Sequence, residues 1–193
     1  VRRSILISST LLSLAGVASS YGQYVYLDNY QSSVHPLITY GPNSGGTLGE
    51  GIQAGFTVGL YFGEGTFAGS VAADPSGTAI PTSLHPSLQL GTGQGSTAAA
   101  YTSVFNLPGM FLTPYDFRAN TRFNGISTLM VVAYDGASYS SSTIRGHSAA
   151  FEIRTYFQAP PLPYVGDYMN TFSVIGIPEP STLTLIGLGG MGF

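Results

Sequence analysis

Three observations predict an all-β fold for this chain. Of its 193 residues, 26 are Gly and 12 are Pro, so turn formers recur too often for long helices. No stretch sustains a 3.6-residue apolar period, whereas period-two alternation recurs in several short runs. Tyr and Phe are abundant, at 13 and 11, and both suit a pleated, half-buried surface. Together these predict an antiparallel β-sandwich of eight or nine short strands over residues 23–176, the size of one domain.

The elements follow in order. Residues 23–29 read as a first strand, with Tyr24, Tyr26 and Asp28 alternating against Val25 and Leu27. Residues 41–51 form a Gly/Asn/Ser loop. In the next strand, over residues 55–62, Phe56, Val58, Leu60 and Phe62 share the buried face, and Thr57, Gly59 and Tyr61 share the other. Short strands are expected at 67–72, 87–90, 101–105 and 109–112, with a flexible Gly-rich loop at 91–96.

Asn124-Gly125 is a hairpin signal ahead of residues 126–134, a nearly continuous apolar run that reads as a strand buried on both faces. Asp135-Gly136 turns the chain again. Residues 149–157 then place Phe151, Ile153 and Phe157 inward, with Glu152 and Arg154 outward. A Pro-rich link at 158–166 leads to a closing strand at 170–175.

Composition narrows the function. Charged residues make up 8% of the chain, against about 25% in typical domains. Every cation is an arginine, and only Arg118, Arg122, Arg145 and Arg154 lie within 23–176. That offers no electrostatic footprint for nucleic acid. There is no Cys, so neither a disulfide nor a lipid anchor on cysteine can form.

Both ends read as targeting segments. Arg2 and Arg3 precede an uncharged apolar run over 4–18, which small and polar residues follow. That is the layout of a secretory signal peptide over 1–22, folded as a signal helix, with cleavage between Gly22 and Gln23. Ser20 offers a second exit point. At the other end, Pro178-Glu179-Pro180 cannot continue a strand or helix, because each proline lacks an N–H and holds its predecessor extended. Ser181 and Thr182 follow, and the rest to Phe193 is apolar and uncharged.

Pro178, Glu179, Pro180 and Ser181 with their apolar tail resemble the PEP-CTERM sorting signal of Gram-negative bacteria. The resemblance implies that 177–193 is a hydrophobic sorting helix. An exosortase acts at such a signal after Sec export, releasing the protein from a transient inner-membrane anchor to the cell surface or extracellular matrix. The 13 residues after Pro180 reach only about 20 Å, short of a ~30 Å hydrocarbon core, and carry no basic residue. The resemblance therefore implies a tail that continues into a full span and a basic cluster. The body, through residues 132–135, 146–151 and 172–174, is similar to that of PEP-CTERM proteins from planctomycete- and verrucomicrobia-type bacteria.

Chemistry-bearing motifs are sparse. His35 and His85 sit in matching His-Pro pairs and read as turn histidines, with a shared metal or ligand site as the other reading. The eight carboxylates of the body fall mostly at turns, and no pair has the separation a glycosidase needs. Residues 63–68 echo a dinucleotide fingerprint but lack the helix that must follow. No catalytic residue, metal or cofactor is therefore expected.

Exposed tyrosines leave one binding function open, since aromatic faces stack on sugar rings. Tyr24, Tyr26, Tyr61 and Tyr156 are the candidates, with exopolysaccharide as the partner. The sequence thus predicts an exported, non-enzymatic surface or matrix protein. A carbohydrate-binding module is the alternative, and a glycoside-active hydrolase a third reading.

Overall fold

The computed structural model describes residues 23–91, 100–101, 107–120, 125–155 and 162–178. Within them lie ten strands: β1 (Gln23–Asp28), β2 (Ile38–Tyr40), β3 (Thr57–Glu64), β4 (Gln89–Leu90), β5 (Ala100–Tyr101), β6 (Leu112–Asn120), β7 (Ile126–Tyr134), β8 (Ile144–His147), β9 (Phe151–Arg154) and β10 (Phe172–Gly176). Helix among the described residues is confined to one α-turn at Pro81–Leu84 and short 3₁₀ turns. The helices expected over 1–22 and 177–193 lie outside the described residues, apart from Ile177 and Pro178, which are not helical. Among the described residues no helix is long and apolar enough to cross a membrane.

The strands form two sheets. The larger has the order β2-β10-β8-β7-β3-β4, with β5 also on β3 and β9 also on β7; β1 and β6 form the smaller. The sequence predicts antiparallel pairing throughout, but β10 runs parallel to β2, so the larger sheet is mixed. Parallel strands need a long crossover, and here most of the chain separates the two.

The β3–β7 ladder is the backbone of the larger sheet, pairing Thr57 with Tyr134 through to Glu64 with Ser127. Alternation sends Val58, Leu60, Phe62, Leu129, Val131 and Ala133 to one face. There they meet Val25 and Leu27 of β1 and Phe117 and Ala119 of β6. On the opposite face Tyr61, Met130, Val132 and Tyr134 pack with Leu88 and Tyr139, bordered by Phe67, Val71, Leu84 and Ala150. The doubly buried strand expected at 126–134 is β7, residue for residue. The strand expected at 55–62 is also buried on both faces: Tyr61, placed on the open face from the sequence, is only 9% exposed.

Three expectations are corrected. Asn124-Gly125 does not join a hairpin, because β6 pairs with β1 while β7 pairs with β3, β8 and β9. The connection crosses from one sheet to the other, and Asn124 itself lies outside the described residues. The strand expected at 67–72 is instead a 3₁₀ turn at Ala68–Ser70. The strand expected at 149–157 is the shorter β9, and the segment before it, read as a turn, forms β8; both pair with β7, with a break at residues 148–150.

Ser148 causes that break. Its N–H donates to the Val131 carbonyl at 2.8 Å, but the Val131 N–H donates to the Ser148 hydroxyl at 3.0 Å rather than to a backbone carbonyl. A side-chain oxygen thus stands in for one rung of the ladder, and the strand kinks there. Just before it, Gly146 lets β8 approach β10 closely, since a Cβ would overlap the Ser173 carbonyl oxygen.

Candidate functional site

On the face of the larger sheet away from β1 and β6, irregular chain rather than a second sheet covers the tyrosines. That cover leaves two cavities. The first, of about 410 Å³, is lined by Val71, Ala73, Asp74, Met130, His147 and Ala150, among others. The second, of about 320 Å³, is bounded by Tyr61, Tyr134 and Tyr139, with Thr57, Leu90 and the serines at 138 and 140 around it.

An Asp–His pair supports the first cavity. Pro75 and Gly77 turn the chain after Asp74, whose carboxylate gathers the turn's free donors. Oδ1 accepts from the Ser76 N–H at 3.0 Å and hydroxyl at 2.5 Å, and Oδ2 accepts from the Ala79 N–H at 2.7 Å. His147 Nε2 lies 3.0 Å from Oδ2. Desolvation pulls the Asp74 carboxyl upward, but the Ser76 hydroxyl, the Ala79 N–H, His147 and the Ser76 N–H together outweigh it. They hold the group well below the usual carboxylate range.

The other ring nitrogen, Nδ1, lies 2.8 Å from the Ser148 carbonyl. Each ring nitrogen of His147 therefore has an oxygen within hydrogen-bond distance. The pair ties the 74–79 turn to β8.

Arg145 provides a second tie, between the two cavities. Its Nε donates to the Thr78 carbonyl at 2.8 Å, and Nη1 donates to the carbonyls of Tyr139 and Ser140, each at 2.9 Å. The guanidinium carbon lies 5.3 Å from the Tyr139 ring centroid. Ser138 caps the 3₁₀ turn at Tyr139–Ser141. One strand residue thus fixes the loop that walls the tyrosine cavity.

The residues singled out from the sequence do not converge. Tyr24 and Tyr26 lie half-buried on β1, and the Tyr26 ring stacks on Tyr164 at 5.1 Å. Tyr61, expected to be exposed, is instead buried in the cluster on the opposite face of the larger sheet. Tyr156, Gly22, Glu179, Pro180 and Ser181 lie outside the described residues; so does the side chain of Gln23, whose backbone begins β1. Pro178 is exposed just beyond β10.

The two His-Pro histidines serve different neighbours. His35 Nδ1 lies 3.1 Å from the Asn29 carbonyl, and the His85 ring stacks on Phe67 at 4.2 Å. Among the described residues no cluster of three metal-ligating side chains occurs. Four turn carboxylates cap backbone N–H groups: Asp28 those of Tyr30 and Gln31, Asp74 those above, Asp135 that of Ile144, and Asp167 that of Ser33. Sequence reasoning did not find Tyr134, Asp74 or His147. For Tyr134 a signal existed, since it follows Met130 and Val132 on one face of a strand read as buried on both sides. Comparison with family models, with curated proteins and with solved structures finds no match.

Proposed function

We propose that this is an exported, non-enzymatic protein of the cell surface or extracellular matrix, a two-layer β-sandwich sorted through its Pro-Glu-Pro segment. The observation that carries the reading is the surface position of Pro178, two residues beyond β10. β10 ends at Gly176, the Ile177 N–H still donates to the Thr143 carbonyl at 2.7 Å, and Pro178 is exposed. Pro178, the first residue of the triplet, therefore lies at the domain surface, directly after a residue held by a backbone hydrogen bond.

Two prolines hold such a segment extended, which lowers the entropy lost when a processing enzyme takes it up. A signal-peptide-like segment at 1–22, a domain with 8% charge and no cysteine, and the resemblance at 178–182 point the same way. Exosortase and the Sec machinery are the transient partners in this reading, and exopolysaccharide surrounds the mature protein.

Fractionation of the native host with sequencing of the mature termini tests it. The expected product lies outside the cytoplasm, begins near Gln23 and ends near Pro178. Glu179→Ala is expected to leave folding intact while unprocessed precursor accumulates in the inner membrane. A full-length cytoplasmic product, or normal processing of Glu179→Ala, overturns the proposal.

A further inference from the structure

The cavity between Tyr61, Tyr134 and Tyr139 has features that packing alone does not account for. Tyr61 and Tyr134 are 9% and 5% exposed, so each is more than nine-tenths buried. Both phenols nevertheless line open space. Among the described residues neither hydroxyl has a hydrogen-bond partner, whereas Tyr139 reaches the Gly77 carbonyl at 3.5 Å. Buried hydroxyls are normally satisfied, so two unpartnered phenols among the lining residues of one cavity leave hydrogen-bonding capacity for water or a ligand.

We propose that this cavity is a binding site for one ring of a neutral sugar. The walls specify the ligand. Three aromatic rings and Leu90 suit the C–H faces of a pyranose. The two orphan phenols, with the Thr57 hydroxyl, suit its hydroxyl groups, while the hydroxyls of Ser138 and Ser140 bond to each other at the rim. Among the described residues no charged side chain lines the space, and Arg145, 5.3 Å from the Tyr139 ring, spends its Nε and Nη1 donors on carbonyls. An acidic sugar would therefore meet no charged group in the described wall itself.

The size fits a single ring rather than a buried chain, since about 320 Å³ is at the lower end of the ~300–1,000 Å³ of small-molecule sites. Burial pushes both phenols above their ordinary value, and at Tyr134 the neighbouring Tyr61 adds to it. Both therefore remain neutral donors and acceptors at any physiological pH. The rim is already in place, because Arg145 and Ser138 hold the 138–141 turn. Gly59 faces the same side between Thr57 and Tyr61 and fills none of the space. The site is independent of the export reading, since it is a property of the folded domain.

Isothermal calorimetry on the purified full chain tests the proposal, using glucose, galactose, mannose, N-acetylglucosamine and cellobiose, with glucuronate as the charged control. At least one neutral sugar is expected to bind in the millimolar range, and glucuronate more weakly. Tyr61→Phe and Tyr134→Phe keep the ring and remove only the hydroxyl. Each is expected to weaken binding about 5- to 10-fold, the loss of one hydrogen bond, with the sugar-free melting temperature unchanged or raised. The proposal fails if no neutral sugar binds or if both phenylalanine variants bind as well as the parent. It also fails if glucuronate binds best, or if either variant melts lower without sugar, since that hydroxyl then already has a partner in the fold.

Discussion

On one face of the β3–β7 ladder, Leu60, Leu129 and Val131 are fully buried against the side chains of β1 and β6. On the other face, Tyr61, Met130, Val132 and Tyr134 meet turns drawn from residues 67–88 and 139–150. On the first face the apolar side chains of both sheets belong to one buried core cluster. Turns cannot follow the pleat, so the second face keeps two cavities and is held by polar ties from Asp74, Arg145 and Ser148. The same strands thus carry a stability face and a face with room for a ligand. The difference comes from what each face is packed against.

The largest expected effect is on the filled face. Leu129 is fully buried between β3 and the smaller sheet, and Leu129→Ala leaves a cavity its surroundings cannot close. A loss of about 2–5 kcal/mol is expected, measured by urea unfolding at neutral pH. Met130→Ala, one residue on but bordering a cavity that already exists, is expected to lose less. Equal losses at the two positions would erase the distinction between the faces.

Acid stability separates the polar ties. The Asp74 carboxyl is held below its ordinary value of 3.8, so its contribution is present above that pH and is lost as the pH falls below it. Asp28, at the end of β1, is shifted the other way. Burial raises its carboxyl, only partly offset by the N–H groups of Gln31 and Tyr30 and by His35. A raised carboxyl makes the opposite contribution: stability is fuller at low pH and falls as the pH rises through the folded value. Asp74→Asn is therefore expected to flatten the acid loss of stability, and Asp28→Asn to steepen it, in thermal melts from pH 3 to 7. At neutral pH, Asp74→Ala orphans the donors of Ser76 and Ala79 and is expected to lose about 1–3 kcal/mol.

How far the sequence disclosed this molecule follows from the same contrast. β3 and β7 were legible because alternation and unbroken apolar character report burial directly, whichever partner covers the strand. The mixed pairing of β10 with β2 was not, because Ile38–Tyr40 is three residues long and its partner lies most of the chain away. The Asn124-Gly125 signal misled because local turn chemistry does not encode that β6 and β7 belong to different sheets. Tyr61 was legible as an aromatic on the second face of β3 but not as buried, since its cover comes from residues with no period of their own. Asp74 and His147 meet across 73 positions, and no local pattern marks them as a pair.

The smallest effects form the sharpest comparison, because they come from two hydroxyls on one face of one strand. Thr128 and Tyr134 both point from β7 toward the loop-covered side. The Thr128 hydroxyl donates to the Gly65 carbonyl at 2.8 Å and accepts from the Phe67 N–H at 3.0 Å, and the residue is fully buried. Thr128→Val keeps the shape and strands both partners, so a loss of about 1–3 kcal/mol is expected. Tyr134→Phe removes a hydroxyl that bonds to nothing among the described residues, so its effect on the sugar-free protein is expected to stay within about 0.5 kcal/mol. Urea unfolding of the two variants beside the parent measures both. The end of β7 near Thr128 is then closed by its own hydrogen bonds, while the end near Tyr134 keeps a polar group in reserve. A Tyr134→Phe loss as large as that of Thr128→Val would show that the second face is as fully satisfied as the first, and the cavity would be a packing defect rather than a site.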